Sequence, residues 1–291
     1  MQDDIRGVVW FNGALTDFSS AKASVEDRGF LFGDGVYEVI RVYDGKPFSL
    51  AEHLARLQSS AAGIELALPV PTENIAAIAE DVLKRSRIDN AEIYIQVTRG
   101  AARRNHLFPK DATPSLFVGA RPVREIPPEL RETGCSVVTH PDERWARCNL
   151  KTICLLPNVL AKEHASRQGS FEALLIRDGL ITEGSSSNVF LLTGETLVTP
   201  IADNRILPGI TRGIVIDLAR DQGRPVVERD IPLQELSEAR EIFLTSTTME
   251  LMPVVKADGK LVGDGRPGPT HGGLSGTFRS LTRMRSSEDR A

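Results

Sequence analysis

The sequence predicts an α+β protein of two domains, and three observations carry this prediction. The first 120 residues alternate strand-like and helix-like segments, and the segments after residue 134 are mostly strands joined by tight turns. Between them, residues 121–134 contain three prolines and several charges but little apolar periodicity. We therefore predict a small N-terminal α+β domain over residues 1–120, an interdomain linker over 121–134, and a large, sheet-rich domain with helices over 135–291.

Four strands are predicted in the first domain. Residues 8–11 and 36–43 have strand-like composition, and the Asp-Gly pair directly after the second run is a hairpin turn signal. The segments 91–100, "AEIYIQVTRG", and 115–120, "SLFVGA", alternate and carry β-branched residues, as paired strands do. A sheet is therefore expected in this domain.

Two helices complete the first domain. Ser49 followed by Glu52 is the sequence pattern of a capping box, which predicts that a helix begins here. The apolar face of this helix is formed by Leu50, Leu54, Leu57 and Ala61. Arg56 lies outside that apolar stripe. A second helix is predicted over about residues 72–87.

The second domain repeats one motif, which is a strand, a tight turn and a strand. Residues 172–184, 188–200 and 241–263 each fit this motif. Helices are predicted over about 157–168 and about 209–222, and the latter follows a proline and a glycine that break the preceding strand. The second domain is therefore expected to be mostly sheet.

Composition and charge restrict the classes of function. The chain has 291 residues, of which 41% are hydrophobic and 25% charged, enough for two domains with separate cores. A formal net charge of -4 argues against a general affinity for nucleic acid or anionic membranes. The start of the chain lacks a signal-peptide pattern, and no apolar run approaches the roughly 20 residues that span a bilayer. We expect a cytoplasmic protein that acts on small molecules.

Cysteine usage agrees with this location. Cys135, Cys148 and Cys154 are an odd number without the spacing of metal ligands. We therefore expect reduced core thiols rather than a disulfide bridge, and no metal site.

One lysine stands in an apolar run. Lys151 follows Leu150 and precedes Ile153, Cys154 and Leu155. Burial of an ammonium group is costly, so a buried lysine tends to lose its proton, and a neutral amine is a nucleophile. The ordinary alternative is a lysine that lays its stem over apolar surface and keeps its charged head in water.

Other segments of the sequence contain polar groups that could act together with this lysine. In "TEGSSSNVF", residues 182–190, Glu183 ends a hairpin strand, although a solvated turn carboxylate would have the same sequence. "PGITR" at a helix start and "TSTT" at a strand end can each present backbone N–H groups to an anion. An amine, a carboxylate, N–H donors and a helical arginine are the groups that pyridoxal 5′-phosphate needs at its aldehyde, ring nitrogen and phosphate.

Seven segments, in order, extend these observations over nearly the whole chain. They are "EDRGFLFGDGVYEVIRVYDGK" (26–46), "EHLARL" (52–57), "IYIQVTRG" (93–100), "RWARCNLKTICLLPNVLAK" (144–162), "ITEGSSSNVF" (181–190), "LPGITR" (207–212) and "TSTTMELMPV" (245–254). In these segments the sequence resembles the fold-type IV pyridoxal-phosphate enzymes, and among them the D-amino acid aminotransferases. The resemblance implies a smaller N-terminal α/β sandwich and a larger C-terminal, cofactor-binding pseudo-barrel domain.

The resemblance also implies the cofactor, pyridoxal 5′-phosphate, and the residues that hold it. Lys151 matches the lysine that forms the Schiff base and moves the substrate proton, and Glu183 matches the carboxylate paired with the pyridine nitrogen. The other matched positions are Arg56, Ile210, Thr211 and Thr247 at the phosphate, Leu207 on the ring face, and Ser186 in the surrounding hydrogen-bond network. Pro157 departs from the family pattern, in which a smaller residue is expected after the lysine segment.

The substrate carboxylate site follows from the same resemblance. Tyr37, Arg104 and His106 match the residues that bind the substrate α-carboxylate, and loop 100–108 reaches the partner subunit's site, which implies a homodimer. A guanidinium fork suits a carboxylate. Arg103 precedes Arg104, but the spacing to His106 favours Arg104. Without the resemblance, the basic run in this loop would be a solvated surface or an RNA contact.

The sequence therefore predicts a D-amino acid aminotransferase. It would move the amino group of a D-amino acid such as D-alanine to 2-oxoglutarate, giving a 2-oxo acid and D-glutamate in two ping-pong half-reactions. The alternatives with the same fold are a branched-chain L-amino acid aminotransferase, an (R)-amine transaminase and an aminodeoxychorismate lyase. Tyr37, Arg104 and His106 favour the D-amino acid branch. A non-catalytic binding protein is the alternative from another class.

Overall fold

The chain divides into two compact units. Among the described residues, one unit contains 7–124, 150–154 and 282–287, and the other contains 125–149 and 155–281. The structure, a computed structural model, describes residues 7–287. The predicted α+β class with two domains is confirmed. The units are not the continuous segments of the sequence-based division, because residues 150–154 join the first unit from a distant part of the chain.

The first unit is built on one six-stranded antiparallel sheet. Its strands are β1 (Val8–Phe11), β2 (Ala14–Asp17), β3 (Gly35–Tyr43), β4 (Lys46–Pro47), β5 (Ala91–Thr98) and β6 (Ser115–Pro122). Its helices are α1 (Arg28–Phe32), α2 (Leu50–Gly63) and α3 (Thr72–Ser86), with a short 3-10 turn at Phe18–Ser20. The strand order is β2-β1-β6-β5-β3-β4, so the four predicted strands are confirmed in one sheet.

Alternation along β3 separates its side chains into two sets. Val36 and Ile40 are fully buried in the same core as Leu57 of α2. Fully burying such a side chain stabilises the fold by about 1.5–3 kcal/mol. Successive side chains of a strand point to opposite faces, so Glu38 shares the helix-covered face with Val36, whereas Tyr37 lies on the other face.

The start of α2 differs from the predicted capping box. The helix begins at Leu50, directly after Ser49 as predicted, and Leu54, Leu57 and Ala61 are buried. Ser49 makes no side-chain capping hydrogen bond, because its backbone is left-handed, with φ 54° and ψ 40°. A capping serine normally has extended backbone angles that aim its oxygen at the first turn. The helix prediction is confirmed, and the capping box is wrong.

The second unit is built on a ten-stranded sheet. Its strands are β7 (Cys135–Pro141), β8 (Glu172–Arg177), β9 (Leu180–Gly184), β10 (Asn188–Thr193), β11 (Thr196–Thr199), β12 (Val226–Glu228), β13 (Ile231–Pro232), β14 (Glu241–Ser246), β15 (Glu250–Ala257) and β16 (Lys260–Leu261). Its helices are α4 (Pro128–Thr133), α5 (Leu156–Arg167), α6 (Ile210–Asp221) and α7 (Pro269–Ser287), with a 3-10 turn at Leu233–Ser237. The last residues of α7 are grouped with the first unit.

The pairing of this sheet is mixed. Antiparallel hairpins join β8 to β9, β10 to β11 and β14 to β15, which confirms the three predicted strand-turn-strand segments. Strand β7 lies between β8 and β15 and runs parallel to both. Asp178 and Gly179 in the first hairpin turn have φ 52° and 76°. A tight turn of this kind requires positive φ, which aspartate and glycine tolerate best.

Two of the helices in this unit were predicted and two were not. The predictions over about 157–168 and 209–222 are confirmed as α5 and α6. Pro157 lies in the first turn of α5, where a backbone N–H would have no acceptor within the helix. Proline therefore costs no helical hydrogen bond here, and this departure from the family pattern is compatible with the helix. Helix α4 lies inside the predicted linker, and α7 has no predicted counterpart. Within residues 7–287, no helix combines the length and hydrophobicity needed to cross a bilayer.

A glycine at the base of loop 100–108 gives a test of the fold. Gly100 has φ +87°, and an added Cβ would lie 2.0 Å from the backbone oxygen of Thr113. Gly13 has a similar φ, +97°, but nothing within 4 Å of an added Cβ. We expect Gly13→Ala to cost about 1–2 kcal/mol from backbone strain, and Gly100→Ala to cost roughly 3 kcal/mol or more because the backbone must also shift. Urea unfolding of the two variants measures the difference, and equal costs would contradict the close approach of Gly100 to Thr113.

Candidate active site

Residues 150–154 are fixed to the first unit by backbone hydrogen bonds. The N–H of Tyr37 donates to the carbonyl of Lys151 at 3.0 Å, and the N–H of Ile153 donates to Gly35 at 3.1 Å. The N–H of Lys151 donates to the Ser60 hydroxyl of α2 at 3.0 Å. Lys151 is therefore held between the start of β3 and helix α2, although it is far from both in sequence.

The side chain of Lys151 meets one of the other predicted site residues. Its Nζ lies 4.2 Å from the centroid of the Tyr37 ring, a cation–π distance. The apolar run encloses it only in part: Leu150 is buried, Lys151 is half-buried and Cys154 is exposed. The run is an irregular segment rather than a strand, so its apolar side chains do not share one buried face. Cys154 is accordingly not the core thiol expected from the sequence, whereas Cys135 and Cys148 are buried free thiols.

Arg56 of α2 is buried beside a carboxylate of β3. Its Nε and Nη2 donate to the two carboxylate oxygens of Glu38 at 2.7 and 2.8 Å, a bidentate pair. His53 Nδ1 lies 2.7 Å from Glu38 Oε2. A carboxylate only accepts, so Nδ1 is the donor. Arg56 lies outside the apolar stripe of α2, as predicted. It is nevertheless buried, because its partner Glu38 lies on the face of the sheet that α2 covers.

This cluster sets the charges of its members. Burial by itself would raise the pKa of Glu38, but the hydrogen bonds from Arg56 and His53 lower it to about 2. Burial lowers the pKa of His53, against the raising effect of Glu38. Glu38 is thus an anion that fixes the guanidinium of Arg56. The sequence signal for Glu38, a charge at a buried strand position between Val36 and Ile40, was present and was missed.

Arg104 and His106 meet on one aromatic ring. The Phe32 ring of α1 lies 5.5 Å from the His106 ring, centroid to centroid, and 5.2 Å from the guanidinium carbon of Arg104. Both side chains are exposed. Among the described residues, neither is hydrogen-bonded to Tyr37 or packed on its ring. The structure therefore groups the two loop residues with each other, and groups Tyr37 with Lys151.

In the second unit, Glu183 lies at the end of β9 as predicted and is buried. It accepts hydrogen bonds from Arg144 Nη1, from Asn188 Nδ2 at 3.0 Å, and from the N–H of Leu207 at 3.1 and 3.2 Å to its two oxygens. Burial raises the pKa of Glu183 to about 7, although Arg144 and the Leu207 N–H act to lower it. The Glu183 carboxylate therefore accepts several hydrogen bonds, but they do not fully compensate for its loss of contact with water.

Arg144 is a site residue that the sequence did not identify. Its Nε and Nη2 each lie 2.9 Å from an oxygen of the buried Asp142, which leaves Nη1 aimed at Glu183. Burial would raise the pKa of Asp142, but its hydrogen bonds and charge interaction with Arg144 lower it. Arg177 Nη2 lies 3.1 Å from the same carboxylate. Asp142 thus orients Arg144, and Arg144 orients Glu183.

The three serines after Glu183 converge on a second buried carboxylate. The hydroxyls of Ser185, Ser186 and Ser187 all donate to Glu172 of β8, the latter two at 2.8 and 3.3 Å. Lys162 Nζ lies 3.4 Å from the same carboxylate. The Ser186 hydroxyl therefore shapes the turn that follows Glu183, and its predicted place in a cofactor network stays a prediction. Glu172 was also missed by the sequence interpretation.

The remaining predicted residues lie at two chain reversals of this unit. Ile210 and Thr211 begin α6, and the N-cap residue Gly209 supplies no side-chain hydrogen bond to the first turn. An added Cβ at Gly209 would lie 2.1 Å from Asn188 Oδ1, so a larger residue here would displace the Asn188 side chain. The amide of Asn188 also donates to the Leu207 carbonyl at 2.9 Å, which ties this segment to Glu183. Thr247 lies in the turn between β14 and β15.

Each unit carries side chains that fit one part of pyridoxal 5′-phosphate. A helix start without a side-chain cap can bind a phosphate through its N–H groups. A buried carboxylate whose pKa is raised by desolvation favours a neighbouring positive charge, such as a protonated ring nitrogen. Lys151 offers the amine and Arg56 a fixed cation. Taken unit by unit, these are the groups that a pyridoxal-phosphate enzyme requires.

Comparisons with known proteins narrow this class to a family. Residues 35–257 match the family described as amino-transferase class IV. The chain is 43% identical to a D-alanine aminotransferase of Listeria innocua, over 93% of this chain and 94% of that protein. It is 40% identical to a D-alanine aminotransferase of Staphylococcus haemolyticus, over 96% and 99%. The structure resembles the branched-chain amino acid aminotransferase of Escherichia coli, with TM-score 0.90 and 27% identity over 95% of each chain. The chain belongs to the class IV aminotransferases.

The charge cluster around Glu38 predicts an acid-dependent loss of stability. The pKa of Glu38 is about 2 in the folded protein and near 4.5 in the unfolded chain. The stability that the ionised Glu38 contributes is therefore complete above pH 4.5 and is lost as the pH falls through 2. The full shift corresponds to about 3 kcal/mol. We therefore expect the stability difference between the wild type and Glu38→Gln to shrink as the pH falls from 5 to 2. Urea unfolding at several pH values measures this difference.

Asp81→Asn is the matched control for this prediction. It removes the same charge from an exposed pair with Arg85 on α3, which is held at 3.0 Å. An exposed pair of this kind is worth about 0–1 kcal/mol, so its pH dependence should be small. A difference between the wild type and Glu38→Gln that stays constant over the acid range would rule out the ionised Glu38 described above.

Proposed function

We propose that this chain transfers the amino group of a D-amino acid such as D-alanine to 2-oxoglutarate, giving a 2-oxo acid and D-glutamate. The observation that carries this proposal is the contact of Lys151 Nζ with the Tyr37 ring, 4.2 Å from its centroid. It unites the candidate proton-transfer amine with a candidate carboxylate-binding phenol. The relatives named D-alanine aminotransferases support the same reaction.

The chemistry divides between the cofactor and the chain. Pyridoxal 5′-phosphate, when bound, supplies the aldehyde that accepts the amino group and a ring that withdraws electrons from the substrate Cα. Lys151 acts as the general base that removes the Cα proton and the acid that returns one. Glu183 would pair with the ring nitrogen, whose positive charge would add to the lowering effects of Arg144 and the Leu207 N–H and favour the anion against the effect of burial. Arg56 would be the cation for the phosphate, and the N–H groups at the start of α6 are donors of the kind that bind a phosphate.

The substrate carboxylate is bound by Tyr37, Arg104 and His106. Arg104 and His106 share the Phe32 ring, so a guanidinium fork and an imidazole are presented side by side. D-alanine and 2-oxoglutarate carry the same α-carboxylate, so one set of donors serves both half-reactions. This shared group is the reason that a single site suffices for a ping-pong reaction.

We propose a homodimer in which loop 100–108 of each subunit completes the other's active site. Support comes from the exposure of this loop in the single chain: Arg104 and His106 are exposed, and Leu107 and Phe108 are 75% and 53% exposed. Exposed large apolar side chains next to functional polar ones are typical of interaction surfaces. A cytoplasmic location belongs to the same proposal.

A branched-chain L-amino acid aminotransferase is the second candidate. It is favoured by the structural likeness to the Escherichia coli enzyme. The identity to that enzyme is lower than the identity to the D-alanine aminotransferases, and fold likeness by itself does not select a substrate. The two candidates make opposite predictions for D-alanine and L-leucine.

The first test compares these two substrates. Protein loaded with pyridoxal 5′-phosphate should lose its visible absorbance with D-alanine, regain it with 2-oxoglutarate, and be unaffected by L-leucine. Lys151→Ala should reduce turnover by at least about 100-fold, because the proton-transferring amine is lost. Lys84→Ala, an exposed lysine of α3, is the control and should turn over normally. Bleaching by L-leucine alone would favour the second candidate.

The second test separates the two adjacent arginines of the loop. Arg104→Ala should raise KM for D-alanine and for 2-oxoglutarate by about 10–100-fold, since charged hydrogen bonds are worth roughly 1.5–3 kcal/mol. Arg103→Ala removes the same charge one residue away and should change both constants little. Steady-state kinetics with each substrate varied give the two values. If Arg103→Ala has the larger effect, the carboxylate role moves to Arg103.

A further inference from the structure

A buried carboxylate lies between two arginines at the base of loop 100–108. Asp34, just before β3, accepts hydrogen bonds on the same oxygen from Arg28 Nε and Arg99 Nε, both at 2.8 Å. All three side chains are largely buried. Burial would raise the pKa of Asp34, but the hydrogen bonds from Arg99 and Arg28 lower it, so the carboxylate is ionised.

Arg28 extends from this carboxylate to the centre of the loop. Its Nη1 donates to the carbonyl of Asn105 at 2.5 Å and to that of Leu107 at 3.4 Å. Asn105 lies between Arg104 and His106 in sequence. The guanidinium of Arg28 thus holds the loop backbone on both sides of His106, while its own Nε is fixed by Asp34.

Arg99 fixes the base of the loop to helix α2. Its Nη1 and Nη2 donate to the carbonyls of Glu65 and Ile64, both at 2.8 Å, just past the end of α2. Its guanidinium carbon lies 3.7 Å from the centroid of the Phe108 ring, at the far end of the loop. One side chain therefore connects the helix, Asp34 and the end of the loop.

Phe32 connects the cluster to the two loop side chains. Its ring lies 4.8 Å from the guanidinium carbon of Arg28 and also contacts Arg104 and His106. Residues 103–108 belong to neither a helix nor a strand. In the described part of the chain, the hydrogen bonds of their backbone come from Arg28 and from within the loop. Without Arg28, this stretch would have to be ordered when the substrate binds.

We propose that Asp34, Arg28 and Arg99 are positioning residues, which hold loop 100–108 in the conformation that presents Arg104 and His106 to the substrate α-carboxylate. This inference rests on the proposed aminotransferase function and adds the side chains that determine its substrate affinity. Asp34 acts through the two arginines and touches no substrate. Its loss should therefore weaken substrate binding more than it slows the proton transfer at Lys151.

The test combines kinetics with hydrogen exchange on the holoenzyme. Asp34→Asn keeps the shape of the side chain and removes its charge. We expect KM for D-alanine and for 2-oxoglutarate to rise by at least about 10-fold while kcat stays within about 3-fold, and the amides of residues 101–108 to exchange at least about 10-fold faster. Arg28→Lys keeps the charge but not the fork, so it should give the same result.

Asp81→Asn is the matched control, since it makes the same substitution in an exposed aspartate–arginine pair and should change none of these quantities. If Asp34→Asn does not fold, Arg28→Lys decides the question. Unchanged exchange in the loop, unchanged KM, or a fall in kcat with KM unchanged would each overturn the proposal. The exchange measurement needs no turnover, so failure of the wild type to use D-alanine would refute the proposed function and leave the ordering role of the cluster measurable.

Discussion

The pairing of residues 150–154 with strand β3 is the constraint on which the site of the first unit depends. Two backbone hydrogen bonds place Lys151 beside Tyr37, although more than a hundred residues separate them in the chain. The same strand carries Glu38 on its opposite face, where it fixes Arg56. Because strand side chains alternate, one strand positions both the candidate proton-transfer group and the candidate phosphate-binding cation.

Buried charges fix the orientation of candidate site residues in both units. Glu38 holds Arg56, Arg144 holds Glu183, and Asp34 holds the arginines beneath loop 100–108. Replacing a whole buried ion pair with apolar side chains is often neutral for stability, whereas removing one partner leaves the other charge buried and unpaired at a large cost. Such pairs also have a geometric effect, since a bidentate or multiply bonded group has few alternative orientations. In this protein the ion pairs fix the orientation of the candidate site residues Arg56 and Glu183 and of the arginines beneath loop 100–108.

The raised pKa of Glu183 bears on the proposed function. Burial raises its pKa to about 7 even though four hydrogen bonds reach its two oxygens. A carboxylate in that environment gains most from a cation placed next to it. In the proposed function, the protonated ring nitrogen of the cofactor would be such a cation, and the cost of burying Glu183 would then favour that protonation state of the cofactor.

The sequence by itself determined the hairpins and helices α2, α3, α5 and α6, and it selected Lys151 and Glu183 as candidates, because these follow from local periodicity, turn residues and short motifs. It did not determine that Ser49 leaves α2 without a side-chain cap, that Arg56 is buried, or that Glu38, Arg144 and Glu172 are partners of the candidate residues. These depend on contacts between distant segments: Arg144 and Glu183 are 39 residues apart, and Arg28 and Asn105 are 77 apart. Only the tertiary structure decides which buried charges meet, since a local pattern specifies which face a side chain takes but not what faces it.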